Sequence, residues 1–165
     1  ASFETQEVKS RWKKNSKLIL KKTIIYPRVE FDQFLAIIKT LDIILDPFYF
    51  GMGNTFYQAM AFGIPVVTMP VNQARGRVVS AGYQQMNIKN PPLAKSSEEY
   101  ISICKKLAFN DAYRNDIKSQ ILNQSKTNLF NDKTIFKQYL EFFQESLNAA
   151  RSSNVLPEKW KPKSS

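Results

Sequence analysis

The sequence predicts an α/β fold, with a small parallel sheet joined by crossover helices and followed by further helices to the C-terminus. Three observations predict it. Short apolar or β-branched runs alternate with segments of helical periodicity. Those runs are closed by a proline or by a glycine-containing loop. Beyond Pro91-Pro92 only helical patterns follow.

Taken in order, residues 4–16 hold helix formers with Val8, Arg11 and Trp12 at helical spacing, which predicts a helix with a basic face. Thr23-Ile24-Ile25-Tyr26, closed by Pro27, reads as a strand. Phe31, Phe34, Leu35, Ile38 and Leu41 recur as one face of an amphipathic helix. Ile43-Ile44-Leu45 has no polar alternation, as expected of a parallel strand buried on both faces. A loop over 46–53 leads into a helix from Asn54 to Phe62, stopped by Gly63 and Pro65. Val66 to Met69 is the next buried strand, followed by a helix over 75–86. Helices are expected at 97–109, where Ser97 opens a cap-then-apolar pattern, at 111–123 and at 132–149. Residues 151–165, rich in Lys, Ser and Pro, read as a flexible basic tail. This alternation is Rossmann-like, and ligands of such sheets bind at the C-terminal strand ends, on the loops 46–53 and 71–76. In a sheet of order 3-2-1-4-5-6 the run Thr23 to Tyr26 would be the third strand and Ile43 to Leu45 the fourth. They then either pair directly or leave a gap for another chain.

With 165 residues the chain suffices for one domain with a core, not for two lobes. Its single cysteine, Cys104, excludes an internal disulfide and reads as a buried or half-buried helix residue. The sequence has no histidine, so imidazole bases and His-ligated metals are excluded within it, and any base must be a carboxylate or come from elsewhere. The net charge of +10 favours an anionic partner but is spread along the chain, so solvated helix faces explain much of it. The basic run 11–22 raises nucleic-acid binding as an option, without any base-reading motif to support it. No stretch of about twenty apolar residues suggests a membrane span, and the polar start argues for a cytoplasmic chain.

The most informative stretch is Asp46-Pro-Phe-Tyr-Phe-Gly-Met-Gly-Asn-Thr55. A glycine loop running into a helix N-terminus leaves the N–H groups of Asn54, Thr55 and Phe56 free for an anion such as a diphosphate. Gly51 and Gly53 shape the loop, Asn54 suits an N-cap, and Arg75 and Arg77 after the next strand can add positive charge. A tight turn plus a capped helix, with solvated arginines, is the plainer alternative.

The stretch from Leu41 to Thr55, continued by Ala61 to Pro70 and Arg75-Gly-Arg-Val78, resembles the donor-binding lobe of the O-linked N-acetylglucosamine transferase family and its bacterial relatives. Glu99-Tyr100, Leu107, Asp111 to Arg114 and Leu129 to Asn131 fall in the same order, so the similarity covers about residues 7–149. The resemblance implies a partial GT-B C-terminal lobe over 1–150 and a UDP-sugar as donor substrate. It further implies no cofactor, no metal, and transfer of a hexose or N-acetylhexosamine to protein side chains. Positions matching Gly53, Asn54 and Thr55 would hold the diphosphate. Gln58 stands where the family has an acidic ribose ligand. Phe31 and Phe34 stand where animal members have a lysine and a histidine, and read as core residues first and base-stacking residues second. The family's N-terminal lobe would precede residue 1, so the expected protein is inactive by itself, its catalytic residues are unknown, and its partners are a UDP-sugar, an acceptor protein and a missing lobe or second chain. A non-catalytic interaction module derived from the same lobe is the alternative.

Overall fold

The computed structural model describes residues 22–163 together with Glu7, Ser10, Arg11 and Lys14, which are all helical. The rest of the helix expected at 4–16, including Trp12, and most of the basic run 11–22 lie outside the described residues. The chain divides into two compact units, Ala1–Thr40 and Leu41–Ser165.

In the first unit residues 23–30 have no regular secondary structure, and Ile24, Ile25 and Tyr26 are exposed. The strand expected at Thr23 to Tyr26 is therefore not formed. β-Branched residues favour a strand only where a packed face rewards them, and these side chains face water. Helix α1, Phe31–Lys39, follows, with Asp32 in its first turn and Lys39 in its last. Its buried stripe centres on Ile38, with Phe34 half-buried. Phe31, expected in the core, is 60% exposed. It is the first helical residue and lies about 10 Å along the axis from Ile38, beyond the covered part.

In the second unit β1 (Ile44–Leu45) and β2 (Val66–Val67) pair in parallel, Ile44 opposite Val66 and Leu45 opposite Val67. Between them runs α2, Asn54–Ala61. A parallel bridge from Thr68 to Leu93 lengthens the far side of β2, carried by Thr68 N–H to Pro92 O at 3.1 Å and Ala94 N–H to Thr68 O at 2.8 Å. β2 is fully buried, as expected. β1 is not: Ile44 is half-buried and Leu45 is exposed, so the strand expected to be covered on both faces is covered on one.

Helix α2 ends as its sequence predicts. Gly63 takes φ +71°, and bonds from Gly63 N–H to Met60 O and from Ile64 N–H to Ala59 O close a Schellman motif. A Cβ on Gly63 would also lie 2.6 Å from Leu122 Cγ, so packing and backbone both demand glycine. The helix expected at 75–86 is split into a 3-10 turn, Ala74–Gly76, and α3, Val78–Gln85. Helix α4, Ser97–Phe109, is capped by Ser96 rather than Ser97, the Ser96 hydroxyl accepting from Glu99 N–H at 3.2 Å. Asn110 caps α5, Asp111–Ser125, which runs into a π-helical turn, Lys126–Phe130. Helix α6, Thr134–Arg151, buries none of its residues, and Phe136, Tyr139 and Phe143 are exposed on it. Beyond it Trp160 donates to the Glu145 carboxylate at 2.5 Å and stacks edge-on against Phe142, while Lys163 pairs with Glu145 at 2.7 Å. Hydrogen bonds from Lys163 and then Trp160 hold the Glu145 carboxyl below its ordinary pKa.

The core cluster joins Val67, Ala94, Tyr100 and Leu107, with Cys104 half-buried against it. Burial pushes the Cys104 thiol pKa up, which disfavours the thiolate. On the other side of β2 the Tyr83 hydroxyl accepts from Val66 N–H at 2.7 Å and donates to Val66 O at 3.0 Å. Its full burial raises the phenol pKa and keeps it a neutral donor. Gly82, beside it, makes the close approach of α3 to α2 possible, since a Cβ there would stand 2.2 Å from Phe56 Cζ. Phe56 is wholly buried and wedged edge-on between Tyr57 and Tyr83. Gly82→Ala is therefore expected to destabilise by about 1–3 kcal/mol, against the ~1 kcal/mol that alanine gains in helix propensity. Urea unfolding measures it. An unchanged or higher midpoint would show that the Phe56 ring yields.

Candidate functional site

The loop between β1 and α2 is organised by Asp46, a buried carboxylate. One oxygen accepts Met52 N–H at 2.7 Å and the other accepts the Thr68 hydroxyl at 2.6 Å. Its main chain is bound as well, N–H to Val67 O at 2.9 Å and carbonyl from the Tyr100 hydroxyl at 3.1 Å. Four bonds thus tie the start of the loop to its end, to β2 and to α4. The sequence places Asp46 in the motif but assigns it no role. The available signal is a charged residue directly after an apolar strand, where the next buried strand offers Thr68.

Of the expected site residues, Gly51 and Arg75 are brought together: Gly51 N–H donates to Arg75 O at 3.0 Å, joining the two loops at the C-terminal strand ends. A Cβ on Gly51 would meet that carbonyl at 2.9 Å and the Asp46 carboxylate at 3.3 Å, so only glycine fits. Gly53, not Asn54, is the N-cap of α2, and a Cβ on it would meet nothing within 4 Å. Asn54 and Thr55, the first helical residues, have no intrahelical acceptor for their N–H groups, and none is found elsewhere among the described residues. The third expected donor is engaged, because Phe56 N–H bonds Gly53 O at 3.0 Å in a tight first turn. One turn on, the Gln58 Oε1 atom is buried without a hydrogen-bond partner. Arg75 and Arg77 are exposed, and neither guanidinium meets a carboxylate among the described residues.

Beside this loop pair lies an open groove of about 1070 Å³, running from Pro70 and Asn72 at the end of β2 along α3 to Asn87 and Leu93. Of the expected site residues only Arg77 lines it. The groove and the α2 N-terminus are thus separate features that share one edge of the sheet.

Removing the Asp46 carboxylate tests whether it positions the loop. Asp46→Ala leaves two donors without their acceptor, an expected cost of about 2–4 kcal/mol. The Met52 amide should lose its protection from hydrogen exchange first. Unchanged Met52 protection would place control of the loop elsewhere.

Residues 11–140 match the model of the family described as glycosyl transferase family 41. Among solved structures the chain is similar to a mutant of the Thermobaculum terrenum O-GlcNAc transferase, at TM-score 0.65 and 21% sequence identity. That similarity covers 78% of this chain and 25% of the other, so the chain spans a quarter of the transferase it matches. No curated protein sequence matches. The structural likeness is one of fold, a small parallel sheet with helices as in a GT-B lobe. The family match extends over more than three quarters of the sequence, and the chain belongs to glycosyl transferase family 41.

Proposed function

We propose that this chain is the part of a glycosyltransferase that holds a UDP-sugar, with the donor diphosphate at the N-terminus of α2. The observation that carries the reading is the pair of unpartnered N–H groups on Asn54 and Thr55 at a helix start with open space above Gly53. Such a terminus attracts anions through its oriented amides and its dipole. The Thr55 hydroxyl adds a donor, and Arg75 and Arg77 lie on the neighbouring loop. Gln58, whose carbonyl oxygen lacks a donor, stands one turn further into the helix, at the motif position of the ribose ligand.

In this reading the chain's share of the chemistry is electrostatic. When the bond between the sugar's anomeric carbon and the β-phosphate oxygen breaks, the electron pair stays with the departing UDP. The helix terminus stabilises the charge that develops there. The acceptor would be a protein side chain, and its activation would fall to another lobe or chain, so that this chain transfers nothing by itself in a cytoplasmic setting.

Calorimetry on the full chain tests the donor site. UDP should bind roughly tenfold more tightly than UMP, because the β-phosphate is what the helix terminus recognises. Thr55→Val should weaken UDP by about 1–2 kcal/mol through loss of a charge-assisted hydrogen bond. Equal affinities for the two nucleotides would sink the assignment.

Gln58→Glu should strengthen UDP binding, since a carboxylate accepts two ribose hydroxyls and charged acceptors make the stronger bonds. A neutral or harmful effect in the same titration would favour the alternative, a non-catalytic interaction module in which the ribose no longer occupies that position.

A further inference from the structure

We infer that the groove along α3 is a binding site for an extended polypeptide segment carrying an acidic side chain, distinct from the α2 N-terminus. The inference rests on the family reading only for its biological sense, that the bound segment belongs to the acceptor protein. The groove itself is argued from its lining.

Three features select this occupant. The first is charge: the lining contains one ionic side chain, Arg77, and no carboxylate. The Arg77 guanidinium is exposed and meets no carboxylate within the chain among the described residues. It presents a fork of donors suited to a carboxylate from outside.

The second is the spacing of polar groups. Arg77, Ser80, Gln84 and Asn87 follow one another three or four residues apart, so they form a row along one side of α3 and its end. From Arg77 to Asn87 the row extends about 15 Å, the reach of four or five residues of extended chain. Each side-chain amide can both donate to and accept from a peptide bond, a pairing that suits any sequence. The Ser80 hydroxyl proton is committed to Arg77 O at 2.9 Å, so its oxygen is available as an acceptor.

The third is the floor, which is aliphatic: Pro70, Val78, Ile88, Pro91 and Leu93. The aromatic ring in the lining, Tyr83, is fully buried with its hydroxyl engaged by Val66, so the groove offers no platform on which a base or a sugar ring could stack. A nucleic acid would also meet a single cation, too few for a backbone of phosphates.

The test uses the full chain and two short fluorescein-labelled peptides of alanine and threonine, one with a central glutamate and one with lysine in its place. Fluorescence anisotropy at low salt should show the glutamate peptide binding roughly threefold to fivefold more tightly, the range of an exposed ion pair. The preference should vanish at about 0.5 M salt. Ala81→Trp, which fills the groove from an exposed helix position, should abolish binding of both peptides while leaving the thermal melting curve and UDP affinity unchanged. Gln84→Glu should weaken the glutamate peptide and not the lysine peptide. Equal affinity for the two peptides, or binding that survives Ala81→Trp, would overturn the proposal. The UDP titration is separate, so loss of the donor site and loss of the peptide groove are distinguishable outcomes.

Discussion

The loop that leads from β1 into α2 depends on the burial of one carboxylate. Asp46 is only 3% exposed and is met by neutral donors, a backbone N–H and a hydroxyl. A buried charge is tolerated only where such bonds replace its lost hydration, so the loop must keep Met52 within reach and β2 must keep Thr68 there. With Met52 fixed, Gly51 is held against the Arg75 carbonyl, and the start of α2 follows two residues later. The geometry of the free Asn54 and Thr55 amides is thereby set by a residue whose own side chain points inward. Tyr100 completes the arrangement from α4, its hydroxyl on the Asp46 carbonyl and its ring edge-on to Phe48 at 5.0 Å. Desolvation by the same core raises the Tyr100 pKa to about 12, so this donor persists across any ordinary pH.

The sheet is small because side chains take over part of its hydrogen bonding. Val66 lies in the strand with β1 on one side, and on the other its N–H and carbonyl are met by the single hydroxyl of Tyr83. A tyrosine thus stands where a strand neighbour would otherwise be required, and the backbone of β2 stays satisfied with only the short bridge at Thr68 beside it. The fully buried β2 can therefore be two residues long. The cost is sensitivity: α3 must lie close enough for Tyr83 to reach, and Gly82 is what permits it.

Much of this was legible in the sequence where one residue decides one feature. Gly63 before Pro65 predicts the end of α2, and the helix ends there with a positive φ at Gly63 and Schellman bonds. The helix at 97–109 was readable from its apolar spacing and acidic first turn, with only the cap displaced to Ser96. Strands were harder, because β propensity measures a fit to neighbours that a short run does not name. Thr23 to Tyr26 and Ile43 to Leu45 look alike as sequence, yet the first forms no strand and the second is covered on one face only. Long-range partners were equally hidden. Nothing local says that Asp46 meets Thr68 twenty-two residues on, or that Phe56 N–H is drawn into a tight first turn.

The two features of this edge differ in what their chemistry offers. The α2 terminus offers backbone donors and a dipole, which suit an anion whatever its side chains, and the loop that presents it is fixed by Asp46 from within. The α3 groove offers side-chain amides and one arginine on an exposed helix face, which suit a chain of amides with a charge. Changes on the outer face of α3 can thus be made without disturbing Gly82 and Tyr83 on its inner face or the Phe56 ring of α2 packed against them. Changes in the 46–53 loop have no such freedom, because Gly51 has no room for a Cβ and Met52 holds the carboxylate. The loop can therefore stay fixed while the outer face of the groove varies, since the two share a sheet edge but not a set of buried contacts.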